Sequence, residues 1–125
     1  MNLNAASLGL AIALGFVFAP DRASAAKSTG YQATTEFPAA KAYVFKKSGD
    51  VSLRLHVFNP PDHRPTAARP AILFFFGGGW AHGDPSQFVK HAAYLASRGM
   101  VVVLPEYRTS EAHGTTPFEC IADGK

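Results

Sequence analysis

The sequence is poor in the groups that would cross-link it or send it to a polyanion. A single cysteine, Cys120, rules out an internal disulfide and a cysteine-built zinc site, and the thiol reads as a lone side chain without a chemical task. Lys and Arg never gather into a long basic run and the net charge is only +3, so a nucleic-acid partner is not expected. Nor is there an apolar stretch of bilayer length: residues 8–19 (LGLAIALGFVFA) make twelve uninterrupted apolar positions, against the ~20 that a spanning helix needs. With 47% apolar and 17% charged residues, the chain suits one soluble domain or part of one.

Twelve apolar residues do match the hydrophobic stretch of a secretory signal peptide. Pro20, Asp21 and Arg22 interrupt it, and Ala23-Ser24-Ala25 supplies the small-x-small pattern of a cleavage site. Residues 1–25 are therefore expected to be a signal peptide cut after Ala25, giving a secreted or periplasmic protein with no other membrane association. The segment departs from the pattern in having no Lys or Arg before Leu8. An uncleaved anchor or a buried helix is the other reading.

Residues 26–40 are small, polar and without period, and read as a flexible lead. Residues 41–58 predict a β-hairpin turning at Lys46-Lys47-Ser48-Gly49-Asp50. In its second arm Val51, Leu53, Leu55 and Val57 alternate with Ser52, Arg54 and His56, so the latter three are expected on a wetter face, His56 as an exposed strand residue. Residues 59–70, with four prolines, form a connector. The runs 71–76 and 100–104 lack alternation and predict parallel strands covered on both faces. Between them Asp84-Pro85-Ser86-Gln87 has the form of an N-cap, an N1 proline and a capping-box Gln. Phe88, Val89, Ala92, Leu95 and Ala96 give a helical apolar face, and Gly99 falls at the C′ position. Strand, glycine turn, helix and strand make a right-handed βαβ unit with the turn at the carboxyl end of its first strand.

That glycine turn, Gly77-Gly78-Gly79, fits neither nucleotide motif. A G-x-G-x-x-G starting at Gly77 would need glycine where His82 stands, and a phosphate loop from Gly78 to Gly83 would need Lys and Ser or Thr where Asp84 and Pro85 follow. Backbone N–H groups after a buried strand have another use, the stabilisation of the oxyanion formed in acyl transfer. Donors about 2.7–3.1 Å from the developing charge are required there, and side chains would crowd the acyl group. A tight turn with close backbone approach is the alternative reading of the three glycines.

Phe76-Gly77-Gly78-Gly79-Trp80 resembles the HGGGW oxyanion motif of α/β-hydrolase esterases and lipases. The likeness extends through LRLHVFNPP, AILFFFGGGW, PSQFVKHAAYLASRGMVVVLPEYR and HGTTPFECIAD, over most of residues 40–123, and is similar to the N-terminal third of acetyl esterase and lipase-like enzymes, in particular secreted bacterial esterases related to feruloyl and acetylxylan esterases. The resemblance implies an α/β fold, with residues 41–125 as the N-terminal portion of a hydrolase domain whose sheet is incomplete. It places the oxyanion donors on the amides of Gly78 and Gly79, the turn on Gly77, and Trp80 and Tyr107 beside the pocket. Glu106-Tyr107-Arg108 stands where the family has Asp-Tyr-Arg, as local scaffolding or as substrate contacts. The implied substrate is a small ester or an acylated carbohydrate, with no cofactor and no metal.

Two departures qualify the match. Phe76 replaces the histidine that helps to hold the family's loop by hydrogen bonding, while His82 reads as a loop residue facing water. The nucleophile elbow is also missing: no serine has glycines at both flanks of a Gly-x-Ser-x-Gly, since Ser48, though followed by Gly49, has Lys46 at its first flank, and Ser97, two before Gly99, has Leu95 there. In the family the elbow follows a helix of the kind that begins near Thr116, so the triad is expected beyond Lys125, and this chain alone is expected to be inactive. Cys120 with Glu119 and His113 does not replace it, because adjacent helical residues point about 100° apart; His113 reads as a loop residue and Glu119 as a helix-start acid. A non-catalytic binding or assembly protein, and one half of a split esterase, remain as alternatives. A sheet lacking its further strands exposes an apolar edge, and aggregation or loose packing of the isolated chain is expected.

Overall fold

A computed structural model describes residues 36–125. The expected signal peptide and residues 26–35 of the expected lead lie outside the described residues. Strands β1 (Lys41–Ser48) and β2 (Val51–Phe58) form an antiparallel hairpin. Strand β3 (Ala71–Leu73) leads through a 3₁₀ turn (Pro85–Phe88) and helix α1 (Val89–Ser97) to strand β4 (Val101–Pro105), and the short helices α2 (Ser110–His113) and α3 (Pro117–Asp123) follow. The four strands make one mixed sheet in the order β1-β2-β4-β3, with β3 parallel and β2 antiparallel to β4. This is the expected hairpin joined to a βαβ unit.

Local chemistry sets the start of the 3₁₀ turn and the end of α1. The Asp84 carboxylate accepts the Ser86 N–H at 2.7 Å, and Pro85 loses nothing at the first helical position. At the other end Gly99 has φ +92°, its N–H bonds the Ala96 carbonyl and the Met100 N–H bonds that of Leu95, which is a Schellman ending. All five predicted apolar positions of the helix meet the sheet in a cluster with Phe37, Phe58, Val102 and Leu104. Burial of each large member contributes about 1.5–3 kcal/mol.

Several expectations need correction. Residues 36–40 are not loose, since Phe37 is buried in the core with its ring 6.1 Å from that of Phe58. The hairpin turn is shorter than expected: Lys46, Lys47 and Ser48 belong to β1, which is irregular between Val44 and Lys46. His56 is not exposed but 1% accessible, because the supposed wet face of β2 is the one that carries Phe58 into the core. The ring is edge-on to Phe37 at 4.8 Å, and Nε2 lies 2.8 Å from Glu106 Oε1, so its polar atom is satisfied in place. Its partner lies fifty positions along the chain, beyond the reach of any local pattern.

Ladder pairing in β3 ends at Leu73, although the Phe74 N–H still bonds Val103 O at 3.0 Å. Helix α1 covers one face of the sheet; toward the other, Leu73 and Phe75 are 54% and 44% exposed, so this strand is not covered on both faces. Its outer edge has no neighbouring strand among the described residues.

Candidate functional site

Past Phe74 the chain leaves the sheet and enters the glycine turn. Phe76 is buried, stacked on Tyr107 with ring centroids 4.0 Å apart, and its carbonyl accepts the Tyr107 hydroxyl at 2.5 Å. Burial, reinforced by Cys120, holds the phenol above its usual range and keeps that hydroxyl a donor. Thus Phe76, in place of a hydrogen-bonding histidine, is fixed by a ring stack and through its own carbonyl.

Gly78 has φ +147°, and a Cβ there would lie 1.9 Å from the His82 carbonyl oxygen, so the position admits glycine alone. Its carbonyl accepts the N–H groups of Ala81 and His82 at 3.1 and 3.3 Å, closing the turn. Gly83 lets the chain pass so close that a Cβ would sit 2.5 Å from Gly77 O. Trp80 is itself left-handed, with φ +63°, a conformation that costs a side-chain-bearing residue roughly 1–2 kcal/mol. The segment after β4 helps to hold it there: Ser110 N–H bonds Trp80 O and Glu111 N–H bonds Ala81 O, both at 3.0 Å.

The N–H of Gly77 is taken by the Gln87 side chain, Oε1 accepting at 2.7 Å. Gln87 was expected to cap the helix; instead the start of the helix is a 3₁₀ turn whose third residue reaches back to the glycines. The N–H groups of Gly78 and Gly79 meet no acceptor among the described residues. Both glycines line a cavity of about 520 Å³ whose apolar wall includes Phe75, Phe76, Trp80, Tyr107 and Ile121. The sequence-predicted positions Gly77, Gly78, Gly79, Trp80 and Tyr107 are all brought together here. His82 stands outside, exposed, 3.8 Å from Glu111.

Glu106 and Arg108 point away from the cavity into the scaffold. Glu106 is buried and accepts the Arg54 N–H at 3.0 Å besides meeting His56. Arg108 makes a bidentate pair with Asp123, a buried carboxylate at the end of α3 that the sequence reading did not single out. Cys120 Sγ donates to Thr116 O at 3.2 Å, and the Glu119 carboxylate accepts the Thr116 N–H at 2.7 Å. His113, expected in a loop, ends the one-turn helix α2 and accepts the Thr109 N–H on Nδ1 at 3.0 Å. None of these hydrogen bonds links one of the three to another. Among the described residues no helix is long and apolar enough to cross a membrane.

No protein-family model matches the sequence, and no curated protein matches it. Solved structures do. Esterase 2 of Thermogutta terrifontis phosphorylated by paraoxon is 43% identical, with a TM-score of 0.68, over 70% of this chain and 34% of that one. The native form, a thermophilic esterase from a Planctomycetes species, aligns at 43% identity and a TM-score of 0.67, over 69% of this chain and 31% of that one. The propionate-bound form gives the same identity and TM-score. This chain therefore spans about a third of the length of the esterases it matches. Its hairpin, its βαβ unit and its likeness to these structures agree, and the chain belongs with the esterase-like α/β-hydrolases, contributing a partial four-stranded sheet of that fold.

Proposed function

We propose that this chain supplies the oxyanion-stabilising part of a serine carboxylic-ester hydrolase. The observation that carries the reading is the pair of unclaimed N–H groups, Gly78 and Gly79, at the wall of an apolar cavity. In acyl transfer a nucleophile adds to the ester carbonyl, and the negative charge on its oxygen is stabilised by fixed donors that need not reorganise. The aromatic wall would receive the acyl group. Structures of the Thermogutta esterase with propionate and with butyrate bound support a short acyl chain. Acetylated or feruloylated carbohydrates are the proposed natural esters. The proposed location is outside the cytoplasm, on the strength of residues 8–25 in the sequence.

No serine of the 125 residues sits in a Gly-x-Ser-x-Gly elbow, so the chain by itself is proposed to hydrolyse nothing; a nucleophile, an acid and a histidine would have to be supplied from outside these residues. The test is hydrolysis of p-nitrophenyl acetate, propionate and butyrate by the chain alone and by residues 36–125 grafted onto the remaining two thirds of the Thermogutta esterase. We expect no turnover by the chain alone and turnover by the graft. A folded graft that binds butyrate without hydrolysing any ester would favour a non-catalytic binding protein, and turnover by the chain alone would overturn the assignment of the missing triad. Mixing the two parts as separate chains tests the split-enzyme alternative.

A further inference from the structure

The turn has to be stiff for its two free amides to act as an oxyanion hole, and the residue that would have stiffened it in the motif, a histidine at position 76, is a phenylalanine. Gln87 is placed to take over part of that task. It lies ten residues on, in the 3₁₀ turn that opens α1, and its Oε1 is 2.7 Å from the amide nitrogen of Gly77. Two consequences follow from this one bond. Of three successive glycine amides, the first is aimed at Gln87, which leaves those of Gly78 and Gly79, two residues of the cavity lining, without an acceptor among the described residues. The turn is also tied to the start of a helix whose other face is packed on the sheet, so it inherits the rigidity of the core.

We infer that Gln87 is a positioning residue for the oxyanion hole, fixing the glycine turn through Gly77 and determining which amides are left to bind the oxyanion. Gln87 touches no reacting atom in this arrangement; it acts through the turn. The inference rests on the esterase reading for its purpose, but its geometry is testable without any turnover.

The experiment is residue-resolved amide hydrogen exchange on the 125-residue chain at low micromolar concentration, comparing wild type, Gln87→Leu and Gln87→Glu. Leucine keeps the bulk and removes the acceptor, whereas glutamate keeps an acceptor. For Gln87→Leu we expect the Gly77 amide to exchange roughly tenfold faster, in line with the loss of one hydrogen bond. The Ala81 and His82 amides, which bond Gly78 O, should accelerate with it, while the amides of α1 stay as protected as before. Gln87→Glu should restore all three. Acceleration at Gly77 alone would overturn the inference, because the turn would then hold its shape without Gln87. Unchanged exchange at Gly77 would overturn it as well. Either failure would leave the esterase reading standing, and an inactive graft would leave the exchange result standing.

Discussion

Asp123 is wholly buried, and Arg108 takes both of its oxygens, Nε lying 2.8 Å from Oδ2 and Nη2 2.9 Å from Oδ1. The Arg108 amide adds a third bond at 3.1 Å. The pair clamps α3 to the segment that leaves β4, and α3 carries Cys120 and Ile121 of the cavity lining. Asp123→Ala removes the bonds from a part-buried guanidinium that water can still reach, and we expect it to destabilise the chain by about 2–3 kcal/mol. Urea unfolding checks this through a lowered midpoint at unchanged slope.

The same pair predicts an acid response. Burial pushes the Asp123 carboxyl up, but the hydrogen bonds and charge of Arg108 outweigh it and hold the group below its usual range. A carboxylate with a folded pKa below the unfolded value of about 3.9 stabilises fully above that value. The stabilisation is then lost as pH falls through the folded value. Unfolding free energy measured from pH 5 down to pH 2 should fall in wild type and fall less steeply in Asp123→Asn.

His113 works the same way near neutrality. Burial holds its imidazole below the ordinary 6.5, and its Nδ1 takes the Thr109 N–H. Only the neutral ring can accept that N–H on Nδ1, and the unfolded chain takes the proton first. Stability is thus complete above about pH 6.5 and declines as the pH drops below it. We expect the Ser110 and Glu111 amides, which tie Trp80 and Ala81, to lose exchange protection at pH 5.5 relative to pH 8, after correction for intrinsic rates. His113→Phe should abolish the difference.

Gly78 and Gly79 should not respond alike to alanine. At Gly78 the new methyl meets a backbone carbonyl and the turn has to open, whereas at Gly79, with φ +62°, nothing lies within 4 Å. In the grafted esterase Gly78→Ala should lower kcat by about 10²–10³-fold, the effect of losing an oxyanion donor. Gly79→Ala should cost about 1–2 kcal/mol of stability through its left-handed backbone and leave most of the activity. Steady-state kinetics alongside thermal melts separate the two.

The open edge of β3 gives a prediction about association. Leu73 and Phe75 stand exposed beside an edge that no strand pairs among the described residues, an arrangement that invites another strand. The isolated chain should self-associate in a concentration-dependent way, and Leu73→Lys should reduce this. Light scattering across a concentration series would show it.

What was legible in the sequence was local. The period of residues 88–96, the caps Asp84 and Gly99, the hairpin and the glycine turn each depend on neighbours within a few positions, and each is present in the structure. What was not legible depends on distant partners. His56 looked like the polar side of an alternating strand because Glu106 and Phe37 cannot be seen from it. Gln87 looked like a cap because its spacing from Asp84 fits one, and nothing in the string says that its acceptor turns to Gly77 instead. Asp123 stood only as the last residue of a stretch quoted for its likeness, with no role of its own, and Phe37 carried no motif; a buried charge and a buried ring are recognised by what surrounds them.

Among the described residues each hydrogen bond that ties the glycine turn from outside comes from further along the chain, among them Gln87 on Gly77, Tyr107 on Phe76, Ser110 on Trp80 and Glu111 on Ala81. During synthesis, then, the motif emerges well before the groups that shape it, and the amides acquire their aim only once β4 and α2 have docked. A peptide carrying residues 74–83 would hold the motif without the geometry, and moving the proposed oxyanion hole into another protein means moving the whole strand-helix-strand crossover and the turn of helix that follows it.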